Sequence, residues 1–175
     1  MKAFILSLTL FSSSVICSQS VEGLDFMTYP AREIEFKKKA KINWKTNPYK
    51  NKVKEIKEGF ETGTISFGGN YITVLWLYGA DCVQGIMIDS RTGLIYKLPI
   101  NSLNTSNQCQ DRADIFDRYL FFPNSKLIAT SICKTKKETQ GVKVEQEFYF
   151  YLWNEASKKF SLLKKTKKER LDKCY

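Results

Sequence analysis

Ser131 and Lys134, in the stretch "SICK", have the S-x-x-K spacing of penicillin-binding enzymes. In those enzymes the motif opens a helix. Here the surrounding residues predict a strand, on which positions three apart face opposite sides of a sheet. The pair is therefore better explained as a strand residue and an exposed lysine than as a catalytic dyad.

Three acids, Asp111, Asp114 and Asp117, are close enough in sequence to suggest the paired carboxylates of a glycosidase. A turn or helix surface is the commoner reason for such a cluster. The chain has no histidine, the commonest base in nucleophilic catalysis. We therefore predict a protein that is not an enzyme, with no catalytic residue and no cofactor.

An export signal is predicted over residues 1–20. Lys2 precedes a short apolar run, and small and polar residues follow, which is the layout of a secretory signal peptide. The run is far shorter than the roughly 20 residues of a transmembrane helix. Lipidation at Cys17 is not favoured, because Ile16 stands where a bacterial lipobox needs a small residue. We expect cleavage near Ser18 or Ser20 and a periplasmic or secreted protein.

Export determines how the remaining cysteines are interpreted. Cys82, Cys109, Cys133 and Cys174 form an even set, which predicts disulfides in an oxidising compartment. Of the three pairings, we favour Cys82 with Cys109, to close a loop, and Cys133 with Cys174, to tie the tail to a strand. A zinc site is not expected, because the chain has no CxxC pair and no histidine.

The formal net charge of +10 is carried by lysines clustered near residues 37–41, 134–137 and 158–173. Lysines on edges and loops keep sheets from aggregating, and this explains most of such a pattern. The functional explanation is attraction to an anionic partner protein or envelope polymer. Nucleic acid is not predicted, since no recognition helix or aromatic RNA-binding signature accompanies the lysines.

The hydrophobic periodicity predicts one helix followed by strands. In residues 47–60, "NPYKNKVKEIKEGF", Asn47 can cap and apolar residues recur at helical spacing until about Gly59. Short strands with period two then follow, "TGTISF", "YITVLWLY", "VQGIMID" and "GLIYKL", separated by turn residues. We expect "YITVLWLY" to be central in its sheet, and Asp89 to hydrogen-bond backbone amides in its turn.

A polar stretch, residues 99–115, predicts a long loop, and a second series of strands follows it, with a lysine-rich loop at 134–141. We therefore predict residues 21–175 to be a single, mainly β domain. It would consist of antiparallel meanders with one short N-terminal amphipathic helix and a basic C-terminal tail. A propeller-like and a sandwich arrangement both agree with this pattern.

The stretch from "SFGGNYITVLWLYGADC" to "DSRTGLIYKLP", with the later "FFPNSKLIATSI", resembles an uncharacterised family of exported bacterial β-rich proteins. The family pattern is N-x-A-G-x-Y, W-x-C-G-x-x-C and D-x-x-T-G-x-V-Y. The positions that match are Gly69, Tyr71, Trp76, Gly79, Cys82, Asp89, Thr92, Gly93, Tyr96, Ser125 and Leu127. Tyr78 replaces the first family cysteine, so the resemblance implies that Cys82 pairs elsewhere, and supports Cys109. It implies an exported β-rich domain and no particular activity.

Binding is the function that these observations favour. We expect an inhibitor or immunity-type protein that inserts a loop into a cell-wall-degrading hydrolase or a toxin, preferably an acidic or neutral one. The expected contacts come from two loops, with the residues Asn104, Ser106, Asn107, Gln108, Arg112, Lys134, Lys136 and Lys137. The alternative is an envelope protein that binds an anionic polymer or membrane surface through its lysine-rich tail.

Overall fold

The computed structural model describes residues 20–32, 38–78, 82–100, 119–138 and 141–173. Over these ranges the protein is mainly β, as predicted, with three antiparallel sheets and one short helix. The first sheet pairs β1 (Ser20–Val21) with β2 (Leu24–Asp25). The second has the order β3 (Tyr71–Tyr78), β4 (Cys82–Asp89), β5 (Ile95–Lys97). The third has the order β6 (Tyr119–Phe121), β7 (Leu127–Glu138), β8 (Gly141–Asn154), β9 (Lys159–Lys173).

The predicted amphipathic helix is confirmed as α1 (Val53–Thr62), but both of its predicted ends are wrong. Asn47 does not cap it; its Oδ1 accepts a 2.9 Å hydrogen bond from the Tyr49 N–H, and residues 50–52 form a 3-10 turn. Gly59 does not end it either. A Cβ on Gly59 would lie 2.7 Å from a methyl group of Val74, so this glycine lets α1 approach β3 closely.

The first predicted meander is confirmed in β3, β4 and β5, with one correction. Tyr71 pairs with Asp89 and Tyr78 with Cys82, so β3 and β4 form a full hairpin. Within the described ranges, β3 lies at the edge of its sheet and β4 in the middle, whereas the sequence predicted β3 to be central. Both faces of β3 are apolar because α1 packs on one and the third sheet contacts the other.

The turn after β4 is built as predicted. Asp89 accepts a 2.9 Å hydrogen bond from the Arg91 N–H on Oδ1, and its carbonyl accepts one of 2.8 Å from Gly93. Gly93 has a φ of 73°, and a Cβ there would lie 1.9 Å from the carbonyl oxygen of Lys41. Only glycine fits where the chain before α1 crosses this turn.

The third sheet contains two segments that the sequence assigned to irregular structure. The prediction of a lysine-rich loop at 134–141 is wrong, because β7 continues to Glu138, which pairs with Gly141 of β8. The basic tail is instead part of β9, which pairs with β8 up to Lys173. These segments form strands because their side chains alternate between two faces of the sheet. Cys133 and Val144 are buried on one face, and lysines lie beside glutamates on the other.

The described elements are layered. Helix α1 packs through Ile56 and Phe60 on one face of the second sheet. The opposite face, with Tyr71 and Met87, meets Ile128 and Trp153 of the third sheet. The third sheet packs its other face, with Leu127, Ala129, Phe148 and Phe150, against the N-terminal residues Val21 and Phe26. The sheets therefore pack face to face, as in a sandwich.

Candidate functional site

The residues predicted to bind a partner divide into two groups. Asn104, Ser106, Asn107, Gln108 and Arg112 lie outside the described residues, as do the three acids at 111, 114 and 117. Lys134, Lys136 and Lys137 are exposed, as predicted, but lie on β7 near its end, where it pairs with β8. These three lysines are therefore presented by a paired strand.

The two residues that flank the segment 101–118 are described, and both belong to the apolar cluster between the second and third sheets. Ile100 is 3% exposed in the cluster between the second and third sheets, and Tyr119 packs against the same cluster. Tyr119 pairs with Thr130, from which β7 runs on towards Lys134 and Lys136. The segment therefore rejoins the sheet on the side that leads to these lysines.

The S-x-x-K pair has the geometry expected on a strand. Ser131 is 1% exposed and pairs with Phe148, whereas Lys134 is exposed and pairs with Glu145. The two side chains lie on opposite faces of β7, so the lysine cannot accept a proton from the serine. The motif does not form a dyad here.

Cross-strand glutamates hold the lysines of β9. Lys167 Nζ lies 2.9 Å from Glu145 and 2.6 Å from Glu169, and Lys165 lies 3.1 Å from Glu147. Hydrogen bonds to Glu169 and Glu145 raise the pKa of Lys167, while those from Lys143 and Lys167 lower the pKa of Glu169 to about 2. Lys165 and Lys167, two of the cations of β9, are therefore paired with carboxylates of the sheet.

A polar cluster that the sequence did not reveal joins the two large sheets. We call it the Glu155 cluster: Tyr71, Trp153, Glu155, Lys158 and Arg91. Glu155 Oε2 accepts a 2.7 Å hydrogen bond from the Tyr71 hydroxyl and another of 2.7 Å from Trp153 Nε1. Glu155 Oε1 accepts from Lys158 and, at 3.4 Å, from Arg91. One carboxylate in the turn between β8 and β9 thus binds donors from both sheets.

The backbone of this turn directs Lys158 into the cluster. Lys158 has a φ of 54°, in the left-handed region that lysine seldom adopts. Its ammonium donates a 3.0 Å hydrogen bond to the Tyr71 hydroxyl and lies 5.6 Å from the centre of the Tyr71 ring. The strained residue is therefore compensated by contacts with both the carboxylate and the phenol.

The pKa shifts in the cluster follow from these contacts. Burial and the hydrogen bond to Glu155 raise the pKa of Tyr71, which keeps its phenol protonated. Burial opposes ionisation of Glu155, but hydrogen bonds from Lys158, Tyr71 and Trp153 outweigh burial and lower its pKa. The carboxylate stays charged and the phenol stays neutral near pH 7. The Glu155 cluster is therefore a fixed tie between sheets, not a set of groups that exchange protons.

Sequence reasoning missed this cluster because its members are distant in the chain. Glu155 and Lys158 are three residues apart, in the turn between β8 and β9. Tyr71 lies 84 residues before Glu155, so no local spacing connects them. Only the pairing of the sheets brings the phenol to the carboxylate.

In the part of the chain that the structure describes, no three histidine, cysteine or acidic side chains are arranged to hold a metal ion. No helix there is both long enough and apolar enough to cross a membrane. Cys82 forms no disulfide, so its predicted bond to Cys109 is wrong, whereas Cys133 is disulfide-bonded. Cys109 and Cys174, the two candidate partners of Cys133, lie outside the described ranges.

Comparison of the chain with family models, curated proteins and solved structures finds no match. The resemblance noted from the sequence thus remains a resemblance. Function has to be argued from the residues of this chain.

Proposed function

We propose that this protein is an exported binding protein of the inhibitor or immunity type, which blocks a cell-wall-degrading hydrolase or a toxin. The observation that supports it is the anchoring of both ends of the segment 101–118. Ile100 and Tyr119 belong to one packed cluster between the sheets. A long connection held at both ends by a rigid core is suited to placing side chains in the cleft of a partner.

The lysines of β7 provide a second contact region for the same partner. Lys134, Lys136 and Lys137 are exposed near the end of the hairpin, beyond the residue with which Tyr119 pairs. Cleft carboxylates of a hydrolase would be attracted to them and would form charge-assisted hydrogen bonds. Because side chains alternate along a strand, Lys134 and Lys136 lie on one face of β7 and Lys137 on the other, so the partner would contact both faces at the end of the hairpin.

The sheet register leads us to revise the proposed disulfides. Cys133 lies five residues from Glu138, which pairs with Gly141, which in turn pairs with Lys173. These steps separate Cys133 from Lys173 by about 17 Å along the strands and about 10 Å across them. One further residue adds at most about 4 Å, whereas disulfide Cα atoms lie within about 7 Å of each other. The register therefore disfavours Cys174 as the partner of Cys133, and we propose that Cys133 pairs with Cys109.

A bond between Cys109 and Cys133 would strengthen the inhibitor proposal. It would fix the middle of the segment 101–118 to β7 at Cys133, on the face opposite Lys134 and shared with Lys137. Pre-ordering a binding segment lowers the entropic cost of association. Signal-peptide cleavage and an oxidising location are part of this proposal, because the bond requires them.

Binding of an anionic envelope polymer through residues 164–173 remains the alternative. The net charge of +10 favours it, but the ion pairs of Lys165 and Lys167 with glutamates weigh against it. Because these residues belong to β9, deleting them would remove a strand. Charge substitutions are the appropriate test.

The test begins with the oxidised mature protein, residues 21–175, immobilised and exposed to bacterial extracts. The column is washed at about 0.5 M salt, where the Debye length is only a few ångströms. We expect one hydrolase or toxin to be retained and its activity to be inhibited by the free protein. Changing Ser106, Asn107 and Arg112 together to alanine should weaken inhibition at least about tenfold, because central interface residues contribute most of the affinity.

The matched comparison uses two triple lysine variants with the same change in charge. Alanine at Lys134, Lys136 and Lys137 should weaken inhibition, while alanine at Lys159, Lys165 and Lys167 of β9 should not. If the β9 variant instead abolishes retention, and polysaccharide binds only at low salt, the protein is a polymer binder. Retention of no hydrolase or toxin, with inhibition of none, would also overturn the proposal.

A further inference from the structure

A groove of about 820 Å³ lies between residues 38–44 and one face of α1, and we call it the α1 groove. Its apolar side chains include Trp44, Val53 and Phe60, and its rim carries lysines. The described residues that line it include none of the three lysines of β7. The α1 groove is therefore distinct from the lysine surface of β7.

Both walls of the α1 groove are fixed by hydrogen bonds. Ala40 donates to the Ser90 carbonyl at 2.8 Å, and Asn43 donates to the Gly93 carbonyl at 2.9 Å. Lys39 Nζ joins the two walls, because it donates to the carbonyls of Phe60 at 2.5 Å and Gly63 at 2.6 Å. The groove is thus largely preformed, as ligand sites usually are.

The helix presents apolar surface to this groove and not only to the core. Ile56 and Phe60 are buried against the second sheet. Val53 is 46% exposed and Trp44 is 36% exposed, and both line the groove. The size of the groove is within the roughly 300–1,000 Å³ of small-molecule pockets. An apolar chain placed there would remove these side chains from water.

The charge of the rim is unbalanced. Lys38, Lys41 and Lys57 are exposed, and Glu61 is the one carboxylate among the described residues that line the groove. Lys57 meets Glu61 only at 3.9 Å, with both side chains about 60% exposed, so their pairing is weak. An anionic head group would find two or three ammonium groups beside an apolar floor.

We infer that the α1 groove binds a long-chain carboxylate such as a fatty acid. The alkyl chain would lie against Trp44, Val53 and the Phe60 edge, and the head group would contact Lys41 and Lys57. Neither feature alone is sufficient. A cluster of exposed lysines offers no apolar surface to an alkyl chain, and an apolar surface does not favour an anionic head group over a cationic one. Their combination selects an anionic amphiphile.

Dodecanoate, below its micelle concentration, is the probe. Binding is measured by isothermal titration and by the fluorescence of Trp44, since Trp76 and Trp153 are 7% and 2% exposed in other parts of the core. We expect saturable binding of dodecanoate, weaker binding of octanoate and no binding of dodecyltrimethylammonium. Trp44→Phe should remove most of the fluorescence change.

The matched variants are Lys57→Glu and Lys54→Glu, on the same helix with the same change in charge. Lys57 lines the groove, whereas Lys54 is exposed and does not. We expect Lys57→Glu to weaken dodecanoate binding about tenfold, equal to roughly 1.4 kcal/mol, and Lys54→Glu to change it less than about twofold. Circular dichroism of both variants checks that α1 remains folded.

Three results would overturn this inference. One is no saturable binding of dodecanoate up to about 1 mM, which corresponds to negligible affinity. Another is equal weakening by Lys54→Glu and Lys57→Glu, since that would reflect net charge alone. The third is saturable binding of an acidic, leucine-containing peptide but not of dodecanoate, which would make the groove a protein-docking site. None of these bears on the inhibitor assay, so the two proposals fail separately.

Discussion

At the scale of single residues, Glu155 is the carboxylate that joins polar groups of the second and third sheets. Its two oxygens accept from a phenol, an indole, an ammonium and a guanidinium. An unpaired donor left in this partly buried place costs more than an average hydrogen bond contributes. Both carboxylate oxygens are therefore needed as acceptors for these four donors, and a neutral amide of the same shape would replace only one of them.

Glu155→Gln should lower the free energy of unfolding by about 1–2 kcal/mol, after allowance for partial exposure. The amide has one accepting oxygen, so it cannot satisfy Tyr71, Trp153 and Lys158 together. Urea denaturation measures the loss. Glu169→Gln is the control, because Glu169 also pairs with two lysines but is exposed on β9. An equal loss in both variants would show that the cluster is no more important than a surface ion pair.

The same variant has a predictable effect on pH dependence. The pKa of Glu155 is lowered in the folded protein, so its contribution is fully present above the unfolded pKa of about 4.3. That contribution is lost as the pH falls through the lower, folded value, because the folded state then must take up the proton. Glu155→Gln should flatten this part of the stability curve below pH ~4.3. An unchanged acid limb would contradict the assignment.

Two glycines with positive φ separate backbone strain from lack of space. Gly93→Ala should destabilise by more than about 2 kcal/mol, because its Cβ would overlap the Lys41 carbonyl at 1.9 Å as well as strain φ. Gly23→Ala carries similar strain, with φ of 75°, but the nearest atom is Lys164 Nζ at 3.9 Å. It should cost about 1 kcal/mol in the same urea titration. Equal losses would mean that the chain at Lys41 moves away freely.

At the scale of elements, the end of α1 depends on a residue distant from it in sequence. A helix leaves its last carbonyls without partners, and Lys39 Nζ donates to those of Phe60, Glu61 and Gly63. Burial lowers the pKa of Lys39, which Glu61 partly opposes. The ammonium therefore links the chain before the helix to its C-terminal turn.

Lys39→Met should destabilise the protein by about 1–2 kcal/mol, because three carbonyls lose a charged donor while the apolar stem is kept. Hydrogen exchange should become faster in the last turn of α1, and less so in β4. Lys38→Met is the matched control, since Lys38 is exposed and should stay within about 0.5 kcal/mol. Equal protection of α1 in both variants would exclude a capping role for Lys39.

Local patterns predicted the elements whose order depends on neighbouring residues. The period of α1, the hairpin of β3 and β4, and the turn held by Asp89 were all evident from the sequence. The hairpin of β7 and β8 is longer than the sequence predicted. Its far half carries lysines and glutamates, so the apolar residues there do not show a clear period of two. Its order depends on register, which places Lys134 opposite Glu145 and Lys165 opposite Tyr149. Nothing within one strand encodes such pairs.

At the scale of the whole molecule, the second and third sheets meet through an aromatic cluster next to the Glu155 cluster. Tyr71 and Trp153 belong to both: their rings lie 5.5 Å apart at 80°, and their polar atoms bind Glu155. Tyr96 joins them, with its ring 5.3 Å from that of Trp153. The chain between the sheets, which carries Cys109, begins and ends at this contact. A disulfide at Cys109 would attach this part of the chain covalently and would add to the free energy of unfolding.

Peptide mapping of the oxidised protein should recover Cys109 joined to Cys133, because the register places Lys173, the residue before Cys174, far from Cys133. Closing the loop between these residues should stabilise the protein by roughly 3 kcal/mol in the chain-entropy model. Cys109→Ser and Cys133→Ser should each lower stability by a similar amount, and the double variant should lose no more than either single variant, since all three remove the same bond. A peptide that joins Cys133 to Cys174 would show that β9 does not pair with β8 to its end. A peptide that joins Cys82 to Cys109 would show that the segment 101–118 is not bonded to β7, and the binding surface would then lack this covalent attachment to the sheet.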